Sequence, residues 1–205
     1  MTVLLVTLVM VTFVVPVILE AGPVRRFAND VSFTLILLAA AAVIFDYRPI
    51  PLAAAILCVI ALIIRWSEWV LPTTMSPLVQ NGTEVIALVL LLLIVGVRVF
   101  APGTVTADRI MGAVAFYLLL GFGWAAAYDL VATINPGAFS GTIEGGKGPE
   151  RWAYFSFVTL TTAGYGDIVP VARAARSLAM LEALVGQLYP AIILARLVSL
   201  HGERA

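Results

Sequence analysis

Between Thr2 and Leu200 the chain is a succession of long apolar runs broken by short polar or proline-containing turns. A helix satisfies its own backbone hydrogen bonds, and about 17 to 25 apolar residues carry it across the hydrocarbon of a bilayer. On that length the sequence predicts six spans: Thr2–Leu19, Val31–Tyr47, Leu52–Leu71, Glu84–Phe100, Ala107–Thr133 and Val171–Leu200. Composition agrees. Hydrophobic residues make up 62% of the chain and charged ones 12%, against about 25% charged in an ordinary soluble domain. The expected fold class is an all-α membrane protein.

The junctions carry their own signals. The first run has no basic leader and no good small-residue cleavage site, so it is expected to stay as a helix, with Pro16 as a kink near its end. Glu20 to Asp30, with Arg25 and Arg26, is predicted as a polar loop. Asp46 to Pro51 reads as a tight turn, because proline disfavours helix in the residue before it and suits the first helical turn after it. Trp66 and Trp69 close the third run as an interface pair, and Pro72 to Thr83 reads as a loop. Ala101-Pro102-Gly103 breaks the fourth run. Thr106 is the expected N-cap of the fifth, with Asp108 in its first turn. Gly112, Gly121 and Gly123 are expected to let helices approach closely. Asn135 to Gly148 is a glycine-rich loop, and Pro149 is placed to open a short helix over Glu150–Thr161. The last run, about 30 residues, would be ~45 Å long as a helix and should tilt or protrude.

Between the short helix and the last run stands Thr161-Thr162-Ala163-Gly164-Tyr165-Gly166-Asp167. Alternating glycines let a backbone take conformations other residues avoid. They can turn a row of carbonyls to one side, and in lipid such a row needs something to replace its missing hydrogen bonds. A dehydrated cation is one such thing. The segment resembles the selectivity filter of tetrameric potassium channels, with Ala163 where that family has Val or Ile. The order of span, loop, short helix, filter, Asp, Pro and long span resembles that family's pore from about Asp108 to Leu200. Residues 1–103 resemble the four-helix domain of six-span channels in span count alone; 104–205 correspond to the pore domain.

The resemblance implies six transmembrane helices with a re-entrant pore helix and selectivity filter, assembled as a homotetramer. It implies K+ held by the main-chain carbonyls of Thr162, Ala163, Gly164 and Tyr165, with the Thr162 hydroxyl closing the innermost site. Gly164 and Gly166 would serve backbone conformation. Tyr165 would point away from the axis, and Asp167 would concentrate cations at the outer mouth. Two supports common in the family are missing: Phe155 stands where a Trp is usual and Val158 where some relatives have Glu, so the brace of the filter must differ here. Gly186, twenty residues after Gly166, is at the hinge position of many relatives, and Pro190 should kink the helix one turn later. Helix packing is the competing explanation of both. Gln187, Ala191 and Leu194 would line the cavity. Glu182, a carboxyl inside an apolar helix, is a gating or proton-sensing candidate, and a purely structural hydrogen-bonding role is the favoured alternative.

Other features carry less. Formal net charge is zero, so nothing points to nucleic acid. Cys58 is a small buried hydrophobe by context. Gly141 to Gly148 imitates a phosphate loop but lacks the Ser or Thr after Lys147 and a preceding strand; Asn81-Gly82-Thr83 is explained by a turn. His201 is placed on a solvated tail. Asp129 is expected to pair with Arg151 or Arg173. A voltage sensor needs several arginines along the fourth span and Arg98 stands alone, so weak voltage dependence is expected. Few residues follow Leu200, and no cytosolic ligand-binding domain is expected. No cofactor is expected beyond the permeant K+, and the surroundings are membrane lipid. A filter facing outward puts both termini in the cytoplasm of a plasma or inner membrane, against the usual bias of basic residues towards the inside. The competing functions are a less selective cation channel, an intramembrane carrier or enzyme using Asp46, Asp129 and Glu182, and a poorly conducting regulatory subunit.

Overall fold

The computed structural model describes residues 1–18, 23–45, 52–70, 76–101, 106–141 and 150–202. The expected turn at 46–51, the break at 102–105, the segment 142–149, and the side chains of Arg25, Arg26 and His201 lie outside the described residues. Almost everything described is helix. The order is α1 (Thr2–Val9), a π-helical turn (Met10–Val14), α2 (Val15–Ile18), α3 (Pro23–Phe45), α4 (Leu52–Val70), α5 (Pro77–Phe100), α6 (Ala107–Ile134), β1 (Phe139–Ser140), α7 (Glu150–Leu160), β2 (Val169–Pro170) and α8 (Arg173–Gly202).

Local chemistry sets the ends. Pro16 has no N–H to offer the Thr12 carbonyl, and the first helix widens to the π turn just ahead of it. α3 starts at Pro23, inside the stretch expected to be a loop, because proline suits a first helical position. α5 also starts early. Ser76 caps it by accepting from the Leu78 N–H at 3.3 Å, with Pro77 next. Thr106 caps α6 as expected, accepting from the Arg109 N–H at 3.4 Å. The turn read over Asn81–Thr83 is helix.

Among the described residues three helices are long and apolar enough to cross a membrane: Pro77–Phe100, Ala107–Ile134 and Arg173–Arg196. Thr2–Val14, Phe27–Leu38 and Cys58–Ser67 are shorter apolar helices. Among the described residues, three of the six expected spans are thus helices of spanning length.

α6 is the hub. Lipid gives helices no hydrophobic reason to associate, so close packing at small residues takes over. Phe116 lies on Gly96, Phe157 on Gly121 and Leu92 on Gly123. α1 packs beside α6 at Gly112, with Leu4 and Leu8 fully buried, and α5 contributes Leu88, Leu91 and Val95 to the same core. At one end of α5, Arg65 of α4 bridges Asp30 of α3 and Glu84 of α5, each at 2.6 Å. Trp69 donates to Asp30 and Trp66 to Thr34, so the expected interface pair also closes a polar network. At the opposite end, Arg196 of α8 donates to the Phe100 and Ala101 carbonyls, at 3.1 and 2.8 Å. A cation there suits the negative end of a helix.

Candidate functional site

α7 buries Trp152, Phe155, Ser156 and Leu160, a spacing that places all four on one helical face. That face meets α6 and the β1 strand. Phe155 packs edge-on to Tyr128, with ring centroids 4.8 Å apart, and against Phe139. Phe139 also lies 4.6 Å from the Trp152 ring. Phe155, which has no hydrogen to donate, is held by aromatic contacts alone. Asp129 accepts from Trp152 Nε1 at 2.9 Å. That, rather than an ion pair with Arg151 or Arg173, is its partner; the Arg151 guanidinium lies 4.2 Å over the Trp152 ring.

The end of α7 shapes the Thr161–Asp167 segment. Ala163 N–H donates to Val158 O and Thr162 N–H to Thr159 O, both at 2.9 Å. This pair of crossing bonds is a Schellman cap. It needs a left-handed residue, usually glycine, and here Thr162 takes it with φ of 59°. Among the described residues it is the one non-glycine with positive φ, which costs a residue of this kind about 1–2 kcal/mol. Gly164 N–H adds a further bond to Val158 O at 3.3 Å. Gly164 and Gly166 are also left-handed, with φ of 56° and 80°. The amides of Ala163 and Gly164 are therefore spent on α7. Among the described residues, no protein donor is spent on the carbonyls of Thr162, Ala163, Gly164 and Tyr165. Residues 161–166 are all exposed in the single chain, Tyr165 to 74%.

Asp167 ends the segment. Its carboxylate accepts from the Ile168 N–H at 3.0 Å. The neighbouring Tyr154 hydroxyl of α7 is the larger of the effects that hold Asp167 below the usual carboxylate range. The same interaction pushes the Tyr154 phenol up to about 12. β1 pairs antiparallel with β2, Phe139 opposite Pro170 and Ser140 opposite Val169. It brings Gly141 onto the Asp167 main chain, where a Cβ would lie 1.9 Å from the Asp167 carbonyl oxygen.

The inner face of α7 rests on α8. Gly186 is buried beneath the Leu160 carbonyl, which also accepts from the Tyr117 hydroxyl at 3.3 Å. Glu182 is fully buried and bonds Tyr128 of α6 and Ser156 of α7. It supports α7 from behind, through Ser156. α8 continues through Pro190 as helix. Gln187, Pro190, Ala191 and Leu194 are exposed in the single chain.

Sequence reasoning did not single out Tyr154, Gly141, Tyr128 or Ser156. Ser156 carried a signal: a hydroxyl on the apolar stripe of α7 must find a partner when buried. Tyr154 and Gly141 carried none, because their partners come from the Asp167 turn and from strand pairing.

Among known proteins, the model of the ion channel family matches residues 110–201, from the start of α6 through α7 and Thr161–Asp167 to the end of α8. Protein LctB of Bacillus caldotenax is 34% identical over 107 residues, covering 50% of this chain and 79% of that protein. No solved structure matches the chain. With two apolar helices of spanning length, α6 and α8, making up most of the matched segment, this integral membrane chain belongs to the ion channel family.

Proposed function

We propose that the chain forms a potassium-selective channel, passing K+ down its gradient through a filter at Thr162–Tyr165. The observation that carries this reading is the division of labour at the end of α7. The amides of Ala163 and Gly164 bond Val158, and the carbonyls of Thr162 through Tyr165 take no protein donor among the described residues. Carbonyls so placed are the chemistry that replaces the water around a dehydrated cation. The negative C-terminal end of α7 adds to the attraction, and Asp167, held ionised by Tyr154, adds a charge beyond Tyr165.

One chain supplies one wall of such a site, so the working unit is a homotetramer. In support, only 11% of the α8 span is buried within the chain, against 44% of α6. Residues 104–205 serve as the pore domain, α7 as its re-entrant pore helix, and residues 1–103 as a membrane domain without a repeated arginine sensor. Both termini lie in the cytoplasm. Gly186 and Pro190 are candidates for bending α8, since proline cannot donate to the Gly186 carbonyl four residues earlier.

The test is recording from purified protein in liposomes under opposed K+ and Na+ gradients. A reversal potential near that of K+, abolished by Gly164→Asp, is expected. Flux unchanged by Gly164→Asp would refute the reading. A reversal potential between those of the two ions would favour a less selective cation channel, which Ala163 and the absence of a Trp at Phe155 motivate.

A further inference from the structure

Three helices meet on one carboxyl. Glu182 is fully buried in α8. The Tyr128 hydroxyl of α6 donates to its Oε2 at 2.5 Å, and Ser156 Oγ of α7 lies 2.5 Å from its Oε1. The same Ser156 Oγ lies 2.7 Å from the Gly121 carbonyl oxygen of α6. A serine hydroxyl carries one proton, and a carbonyl only accepts.

Two arrangements are possible. If Ser156 donates to Glu182, then Ser156 Oγ and Gly121 O face each other at 2.7 Å with no hydrogen between them. If Ser156 donates to Gly121, the hydrogen between Ser156 and Glu182 must belong to the carboxyl. Only the second gives every contact a proton. Separations of 2.5 Å occur with both neutral and ionised partners, so the proton count decides, not the length.

The surroundings agree. Among the described residues no ion pair involves Glu182. The titratable groups that face it are Tyr128 and, farther off, Tyr117, both from α6, while α7 presents Ser156. An ionised carboxylate at membrane depth with no cation is costly, whereas a neutral acid can donate.

We propose that Glu182 is a neutral carboxylic acid and a positioning residue. It completes a chain of hydrogen bonds from Tyr128 through Ser156 to the Gly121 carbonyl. That chain fixes α7, and the Thr161–Asp167 segment it carries, against α6 and α8. The consequence for conduction rests on the channel reading; the protonation and the positioning do not.

Infrared spectra of protein in lipid at neutral pH, wild type minus Glu182→Gln, should show the C=O stretch of a protonated carboxyl. A carboxylate band in its place would overturn the proposal. Gln can donate to Ser156 and accept from Tyr128, so Glu182→Gln should conserve K+ flux and K+/Na+ selectivity to within about twofold. Ser156→Ala and Glu182→Ala each cut the chain, and should lower one of these by about tenfold, as loss of a buried donor does. A Ser156→Ala protein with wild-type flux and selectivity overturns the positioning role, and so does a Gln variant as impaired as the Ala variants. If wild-type protein carries no flux, the channel reading fails by itself. Hydrogen exchange at the Ala163 and Gly164 amides then reads the position of α7. Faster exchange in Ser156→Ala and protection retained in Glu182→Gln support the proposal, and equal protection in all three proteins defeats it.

Discussion

Gly186 of α8 sits directly beneath the carbonyl oxygen of Leu160, the last residue of α7. A Cβ at Gly186 would stand 1.9 Å from that oxygen and 2.7 Å from its carbon. Neither is the end of a flexible side chain, so the two helices would have to part. Gly186→Ala should therefore destabilise the protein by about 1–3 kcal/mol, as overpacking does, and displace the segment beyond Leu160. Thermal unfolding in detergent, read beside ion flux, checks this. An unchanged unfolding temperature would remove the packing role and leave only a hinge.

A second prediction concerns Tyr154 and Asp167. The Asp167 carboxyl is held low, first by the Tyr154 hydroxyl and then by the Ile168 N–H. A depressed carboxyl pKa contributes stability above the ordinary value of about 3.9, and that contribution fades as pH falls through the lower, folded-state value. Tyr154→Phe takes away the larger cause, so Asp167 should protonate at a higher pH. In proteoliposomes acidified on the Asp167 side, the midpoint of acid inhibition of cation flux should move upward in this variant. Coincident midpoints would mean that the hydroxyl does not tune Asp167.

Much of this arrangement was legible in the sequence, and its limits have physical causes. The order of α6, α7, Thr161–Asp167 and α8 follows from apolar run length, an N-cap at Thr106 and paired glycines. The starts of α3 and α5 were misplaced because Pro23 and Ser76-Pro77 begin helices inside polar stretches, where capping outweighs hydrophobicity. The six expected spans rested on apolar length alone; the last three are helices of spanning length, and the described parts of the first three are the shorter apolar helices Thr2–Val14, Phe27–Leu38 and Cys58–Ser67. Tyr154, Gly141 and Ser156 escaped notice because each is defined by a partner distant in sequence. Phe155 could be seen to lack a hydrogen-bonding role, but its aromatic partners Tyr128 and Phe139 lie on other elements.

Two glycines should respond in opposite directions to the same change. Gly141 has φ of 96°, and a Cβ there would meet the Asp167 carbonyl oxygen at 1.9 Å. Gly141→Ala should cost about 1–3 kcal/mol and disturb the turn at Asp167. Gly82 lies within α5 with nothing inside 4 Å of an added Cβ. Gly82→Ala should stabilise the protein by about 0.5–1 kcal/mol, since alanine loses less entropy in a helix. Unfolding temperatures of the two variants that move together, in either direction, would contradict the local environments.

Arg65 holds two carboxylates on different helices, Asp30 through Nε and Glu84 through a terminal nitrogen, with its side chain 20% exposed. Truncating it strands two partly buried anions, so Arg65→Met should cost about 3 kcal/mol. Arg65→Lys should recover only part of this, because an ammonium cannot reproduce the planar fork that reaches two directions. Chemical denaturation in detergent measures both. Full recovery by lysine would show that charge alone, and not the fork, ties α3, α4 and α5 together.

Thr162 combines a conformational cost with a proposed ionic role. Its left-handed φ of 59° lets Ala163 and Thr162 donate back to Val158 and Thr159, a cap that glycine makes without penalty. Thr162→Gly should therefore stabilise the folded chain by about 1 kcal/mol. The same substitution removes the hydroxyl proposed to close the innermost cation site, so K+ and Na+ reversal potentials should draw together. Thr162→Ser keeps the hydroxyl and relieves only the β-branch, so it should hold selectivity at little change in stability. Unfolding and bi-ionic recordings on the same three proteins separate the two effects. A Thr162→Gly channel as selective as wild type would show that the residue serves the backbone alone.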